Sequence, residues 1–221
     1  MSATTAKICG LKTPEAVSAA VAGGASHIGL MFFDKSPRNV RPELAARLAE
    51  PVKAQLLSKM APVKVAAVMV DPNDAEVAEI VRVVQPDLIQ LHGKESPERT
   101  AAIRAMTGLP VIKAIGVRDA SDIAAALRYE DAADHLMFDA KAPEGADRPG
   151  GHGSSFDWPL LDGLSLKRPW FLAGGLDPWN VAEAIRASRS PIVDVSSGVE
   201  RGPGVKDPHL ITAFLDAVRR A

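Results

Sequence analysis

One helix-start device recurs along this chain and constrains its architecture. Thr13-Pro14, Ser96-Pro97, Asp177-Pro178 and Asp207-Pro208 each set a capping oxygen directly before a proline. The oxygen can accept a free N–H of the first turn, and proline sits well at the first helical position, where its missing donor has no partner. Between the helical stretches lie short, strongly apolar runs, predicted as strands over residues 6–10, 26–33, 63–70, 87–91, 110–115, 135–139, 169–173 and 191–195. Runs that are apolar on both faces read as buried parallel strands.

The predicted helices fill the intervals. They run from Pro14 to a stop at Gly23-Gly24, from Pro42 through Leu48 toward Leu57 with Pro51 interrupting, and over residues 75–84 and 97–106. A fifth starts at Asp119 or Ser121, Asp157 caps a short one, Asp177-Pro178 opens one through Ala187, and Asp207-Pro208 caps the last, ending at Val218. Gly116 is expected to close the fifth strand. Strands alternating with helices mean βαβ units, and eight of them in 221 residues fit one closed (β/α)8, or TIM, barrel domain over residues 1–221. The competing fold, an open doubly wound sheet, would need a dinucleotide fingerprint at its first helix, and no G-x-G-x-x-G stands there.

Charge and composition narrow the partners. The net charge is −1 and the basic residues are scattered, which offers no field for nucleic acid or an anionic membrane. No apolar run approaches the ~18 residues of a membrane span. The start of the chain lacks a signal pattern, and one cysteine precludes an intrachain disulfide framework. The expectation is a cytoplasmic protein acting on a small molecule, with no metal and no cofactor. Apolar residues on outer helices suit monomers and dimers alike.

In a barrel, chemistry sits at the carboxyl ends of strands. Standing there are Cys9, Arg38 in a loop, Asp71, His92, Asp139 and Asp194. Cys9 reads either as a small buried hydrophobe or as a general base or nucleophile, which requires a thiolate helped by a lysine or local dipoles. Lys7, two residues back on the same face, reads as that help or as only a core-layer charge pair. Asp139 reads as a loop anchor or as a general acid. The strands bearing Cys9 and Asp139 are not neighbours, so a base and an acid could face each other across the mouth, as aldose–ketose chemistry requires. Arg38 suits a carboxylate or phosphate, or simply solvent. His92 reads as a substrate contact or as a loop hydrogen bond. Asp71 and Asp194 read equally as structural caps or ladder partners and as ligands. After strands seven and eight come Gly174-Gly175 and Ser197-Gly198, two tight turns whose N–H groups would form a phosphate cup. Residues 140–156, a Gly-rich stretch with neither period, form the longest loop, and such loops are usually functional.

Taken in order, Lys7-Ile8-Cys9-Gly10, Ile28-Gly29-Leu30 with Phe32, Ser36-Pro37-Arg38, Gln90-Leu91-His92-Gly93 and Phe138-Asp139 form a specific series. It continues through Gly150-Gly151-x-Gly153, Phe156-Asp157-Trp158, Leu172-Ala173-Gly174-Gly175-Leu176, residues 194–200, Pro203-Gly204 and Lys206-Asp207. Over essentially its whole length the chain resembles the phosphoribosylanthranilate isomerases of tryptophan biosynthesis. The resemblance implies an Amadori rearrangement without cofactor or metal. Asp139 matches the general acid that opens the ribose ring and Cys9 the general base. Arg38 matches the grip on the anthranilate carboxylate, and the Gly174-Gly175 and Ser197-Gly198 turns match the phosphate site. His152 and Ser154-Ser155 depart from the Thr, Asn or Lys of other members. A related bifunctional barrel enzyme of histidine and tryptophan synthesis uses aspartate where Cys9 stands. The alternatives are a non-catalytic sugar-phosphate-binding barrel and an isomerase of another sugar phosphate. Arg38 speaks for a carboxylate-bearing substrate, and the presence of both Cys9 and Asp139 speaks for catalysis.

Overall fold

Thr5–Cys9 (β1) pairs in parallel with His27–Phe32 (β2) on one side and with Ile192–Val195 (β8) on the other. Between them, in sequence order, stand Lys64–Met69 (β3), Leu88–Leu91 (β4), Val111–Val117 (β5), His135–Ala140 (β6) and Phe171–Leu172 (β7). The eight strands close into a barrel with every neighbour parallel, so no strand edge is left open. The computed structural model describes residues 4–54, 62–141, 150–151 and 155–221. Gly153, His152 and Ser154, and any extension of the second helix to Leu57, lie outside them. No described helix is long and apolar enough to cross a membrane.

The caps work largely as their chemistry dictates. Thr13 accepts the N–H of Ala16 at the head of Pro14–Ala22 (α1), and Gly23 ends that helix. Asn73 and Glu76 form a reciprocal capping box at Asp74–Val84 (α3). Ser96 caps Pro97–Thr107 (α4), Asp119 caps Ala120–Ala126 (α5), and Asp207 caps Pro208–Arg220 (α7).

The second helix runs past Pro51 as Pro42–Ala54 (α2): Pro51 is exposed, so the carbonyl it leaves unbonded can meet water, and buried Val52 continues the apolar face beyond it. Three expectations need correction. Asp177-Pro178 does not open a helix. Asp177 accepts from the N–H groups of Trp179 and Asn180, while Asn180 accepts from Asp177 N and donates to Gly175 O. That reciprocal turn delays the helix to Val181–Ser188 (α6). Gly116 does not close β5, because it pairs with Asp139 and the strand reaches Val117. Trp158–Leu161 is a single 3-10 turn, and the Asp157 side chain makes no capping bond. Among the described residues no α-helix separates β6 from β7. A small antiparallel hairpin, Glu200–Gly202 (β9) with Val205–Lys206 (β10), follows β8 and carries no sequence period to announce it.

Two apolar layers result. One fills the space between barrel and helices, with Ile8, Leu30, Phe138 and Phe214 at 0% exposure. The other plugs the barrel itself with Leu88, Ile112, Met137, Phe171 and Ile192. Each such side chain contributes roughly 1.5–3 kcal/mol on burial. The plug supports the carboxyl-terminal mouth from below.

Candidate active site

Strand alternation puts Lys7 and Cys9 on the barrel's inner face, and Met137 and Asp139 on that of β6. Cys9 and Asp139 are both buried, at 4% and 7% exposure, and line one cavity of about 790 Å3, part of it open to solvent. Arg38, His92, Gly174, Gly175 and Ser197 line the same cavity. Gly198 does not: a Cβ on it would run into the Leu176 carbonyl. The turn after β8 is thus pressed backbone to backbone against the turn after β7. Asp71 serves structure, accepting from Lys94 N at 2.6 Å. Asp194 lines the cavity and also accepts from Lys7 Nζ at 2.8 Å.

The surroundings of Cys9 oppose each other. Burial pushes its thiol up, Lys7 and Lys206 pull it down, Asp194 pushes it up, and burial prevails. Lys7 keeps its charge although burial works against it, because Asp194 and Cys9 face it. Gly29, the register neighbour of Cys9 on β2, leaves the room this cluster occupies. A Cβ there would stand 2.8 Å from Cys9 Sγ and 3.0 Å from Lys7 Nζ. The helpful lysine expected near the thiol is present, but its effect is outweighed.

Asp139 has a partner. His92 Nε2 lies 3.1 Å from its Oδ2, and His92 Nδ1 lies 3.1 Å from Gln90 Nε2. Gly150 closes over this pair; a Cβ on it would come within 2.8 Å of Asp139 Oδ2 and 2.9 Å of His92 Nε2. Gly174, at φ +91°, lets the chain turn where a side chain would collide with Ala140 N.

Arg38 is 4% exposed, hence not a solvated loop residue. Its stem lies over Gly10, where a Cβ would come within 2.6 Å of Cδ. Its Nε and Nη2 donate to Oε1 and Oε2 of Glu200 at 2.8 and 2.9 Å. Glu200 also accepts from Lys206 Nζ at 2.7 Å and Gly204 N at 3.1 Å. Burial works against the Glu200 charge, but Arg38 and Lys206 hold its carboxyl below the usual range. Burial lowers Lys206 to about 8 despite Glu200. Residue-by-residue reading singled out neither Glu200 nor Lys206. Their signal was their place in the motif series, after Ser197-Gly198.

A closed parallel barrel with an acid, a thiol, an arginine and glycine turns around one mouth defines a (β/α)8-barrel enzyme. The family model for N-(5'-phosphoribosyl)anthranilate (PRA) isomerase matches residues 6–217. The chain is 57% identical to the N-(5'-phosphoribosyl)anthranilate isomerase of Caulobacter vibrioides, over 100% of this chain and 98% of that one. The crystal structure of phosphoribosyl anthranilate isomerase from Thermotoga maritima superposes with a TM-score of 0.85 at 35% identity, covering 99% and 100% of the two chains. Another phosphoribosyl anthranilate isomerase, in complex with reduced 1-(o-carboxyphenylamino)-1-deoxyribulose 5-phosphate, superposes with a TM-score of 0.80 at 32% identity, covering 99% and 100%. The chain belongs to the phosphoribosylanthranilate isomerase family.

Proposed function

We propose that Asp139 and Cys9 divide the acid and base work of an isomerase across the barrel mouth. The chain is a tryptophan-biosynthetic enzyme that converts N-(5'-phosphoribosyl)anthranilate to 1-(2-carboxyphenylamino)-1-deoxyribulose 5-phosphate. Asp139 gives a proton to the ring oxygen. The C1–O bond breaks and the nitrogen lone pair forms a C1=N iminium. Cys9, as thiolate, takes the C2 proton, the freed pair forms C1=C2, and the iminium π pair returns to nitrogen. The C2 hydroxyl then loses its proton while C1 gains one, leaving the ketone. The substrate's own nitrogen is the electron sink.

Arg38 holds the anthranilate carboxylate with the guanidinium edge that Glu200 leaves free. The Gly174-Gly175 and Ser197-Gly198 turns hold the phosphate, Ser197 from the cavity wall and Gly198 by letting the two turns meet. His92 lies beside the reacting end of the substrate, against Asp139.

The observation that carries this reading is that Cys9 and Asp139, from non-adjacent strands, line one cavity with Arg38. The test is steady-state turnover of freshly made phosphoribosylanthranilate by Cys9→Ala and Asp139→Asn. Each is expected to lose roughly 10²–10⁴-fold in kcat with an unchanged circular dichroism spectrum. Near-normal turnover in either variant would remove that residue from the mechanism.

A further inference from the structure

We propose that Glu200, on the hairpin after β8, is a positioning residue that sets the enzyme's selectivity for a carboxylate-bearing aromatic amine, with Lys206 supplying the positive charge that the Arg38–Glu200 pair alone would lack. The inference rests on Arg38 being the carboxylate grip.

A free arginine side chain samples many rotamers, and a grip that must be ordered at each binding event is a weak one. Here the guanidinium is ordered beforehand. Glu200 takes its Nε and one Nη2 hydrogen in a side-on, two-point contact. The carboxylate cannot swing away, because each oxygen accepts two donors: Oε1 from Arg38 and Lys206, Oε2 from Arg38 and Gly204. What remains of the guanidinium is its end edge, with both Nη1 hydrogens and one on Nη2. That edge matches a second carboxylate in the two-point geometry arginine favours. It faces the right way, since Nη1 borders Gly151 of the cavity wall, where a Cβ would lie 2.5 Å from it.

Charge counting gives Lys206 its part. Arg38 with Glu200 is neutral overall and would attract an anion weakly. Lys206 makes the group net positive without pointing at the ligand, because its Nζ is spent on Glu200 Oε1 and on Ser196 O at 2.7 Å each, and on Ser196 Oγ at 3.2 Å. Ser196 immediately precedes the Ser197-Gly198 turn. One buried lysine therefore ties the arginine's anchor to the turn at the other end of the site, and the spacing between the two anion grips is held by side chains rather than by loop backbone alone.

The experiment compares inhibition by two stable product analogues. One is the reduced 1-(2-carboxyphenylamino)-1-deoxypentitol 5-phosphate, and the other is its phenylamino counterpart without the carboxyl group. The ratio of their inhibition constants is the carboxylate selectivity. In Glu200→Gln that ratio is expected to fall about tenfold, while the affinity for the carboxyl-free analogue changes by less than about threefold. A merely structural role would weaken both analogues together and leave the ratio intact, which would overturn the proposal. Glu200→Asp, which stays charged but withdraws from Arg38 by one methylene, is measured alongside and is expected to lower the ratio as well; it decides the matter if Glu200→Gln does not fold. Arg38→Met is the separating arm. A ratio unchanged in Arg38→Met would remove Arg38 as the carboxylate grip. A ratio lost in Arg38→Met but retained in the Glu200 variants would remove only Glu200.

Discussion

The Nε2 of His92 stands 3.1 Å from Oδ2 of Asp139, with Gly150 seated against both. The contact orients the carboxyl group proposed to open the substrate ring. His92→Asn should lower kcat by tenfold or more while the melting temperature moves only a few degrees, since the ring is partly exposed to the cavity. Gly150→Ala should do the same from outside, because its Cβ has no room beside the pair. Steady-state kinetics and thermal melts on both variants check this. Full activity in both would leave the contact without a role in turnover.

Cys9 must lose its proton to act as a base, yet burial holds the thiol up. The thiolate fraction grows with pH, so a raised thiol places the rise in kcat/KM on the alkaline side, past the ordinary thiol range. A pH–rate profile from about 6 to 10 measures it. Lys206 discharges in the same window, at about 8. Cys9→Asp is the control: an ordinary carboxyl titrates about 4–5 pH units below a thiol, so the same burial leaves its rise on the acid side, and any alkaline limb that survives belongs to Lys206. A flat wild-type profile would exclude a buried thiol as the base.

How much of this was legible from the residues depends on whether the signal was local. Strands could be placed because each is a short run apolar on both faces, and Cys9 and Asp139 stood out because they end such runs. Boundaries failed where a partner outside the local pattern, side chain or neighbouring strand, decided them. Asn180 reaches back to Gly175 and turns Asp177-Pro178 into a loop, and β6 carries β5 on through Gly116. Glu200 and Lys206 were opaque for another reason. Their partner Arg38 is 162 residues from Glu200, and a hairpin this short has no period. Gly198 was legible as part of a tight turn, but the Leu176 carbonyl that requires its missing side chain stands on another loop and leaves no local mark.

His27 offers a stability test away from the site. It lies inside the barrel, edge-on to Phe171, and burial pushes it down from 6.5 to about 3, with Lys7, Lys64 and His135 adding to the effect. Between those values the unfolded chain takes up a proton at His27 and the folded chain does not. Its contribution is therefore complete above pH 6.5 and is lost as pH falls toward 3, by about 1.4 kcal/mol per unit. His27→Gln should flatten the pH dependence of urea-unfolding free energy by about one proton between pH 6 and 4. An unchanged slope would count against a neutral buried His27.

Lys113 and Glu95 form a buried ion pair at 2.7 Å, with side chains 3% and 1% exposed. Lys113 also donates to Gly93 O, and Glu95 accepts from Asp71 N and Gly93 N. Lys113→Met strands a carboxylate in the interior and should cost about 3–5 kcal/mol in chemical denaturation. Adding Glu95→Gln should recover part of that loss. A loss below ~1 kcal/mol in the single variant would mean the carboxylate finds water or a proton instead.

The two-residue strand β7 joins each neighbour through just two register pairs, whereas β2 and β3 share six. The barrel wall is thus thinnest directly beneath Gly174-Gly175. A stave held by so few rungs is where the hoop can open without the rest unfolding. Amide hydrogens of Phe171 and Leu172 should then exchange by a local route, ahead of those in β2 and β3. A phosphate bridging the turns after β7 and β8 would act as a clasp across that seam, so that occupying the site mends the weakest joint of the wall.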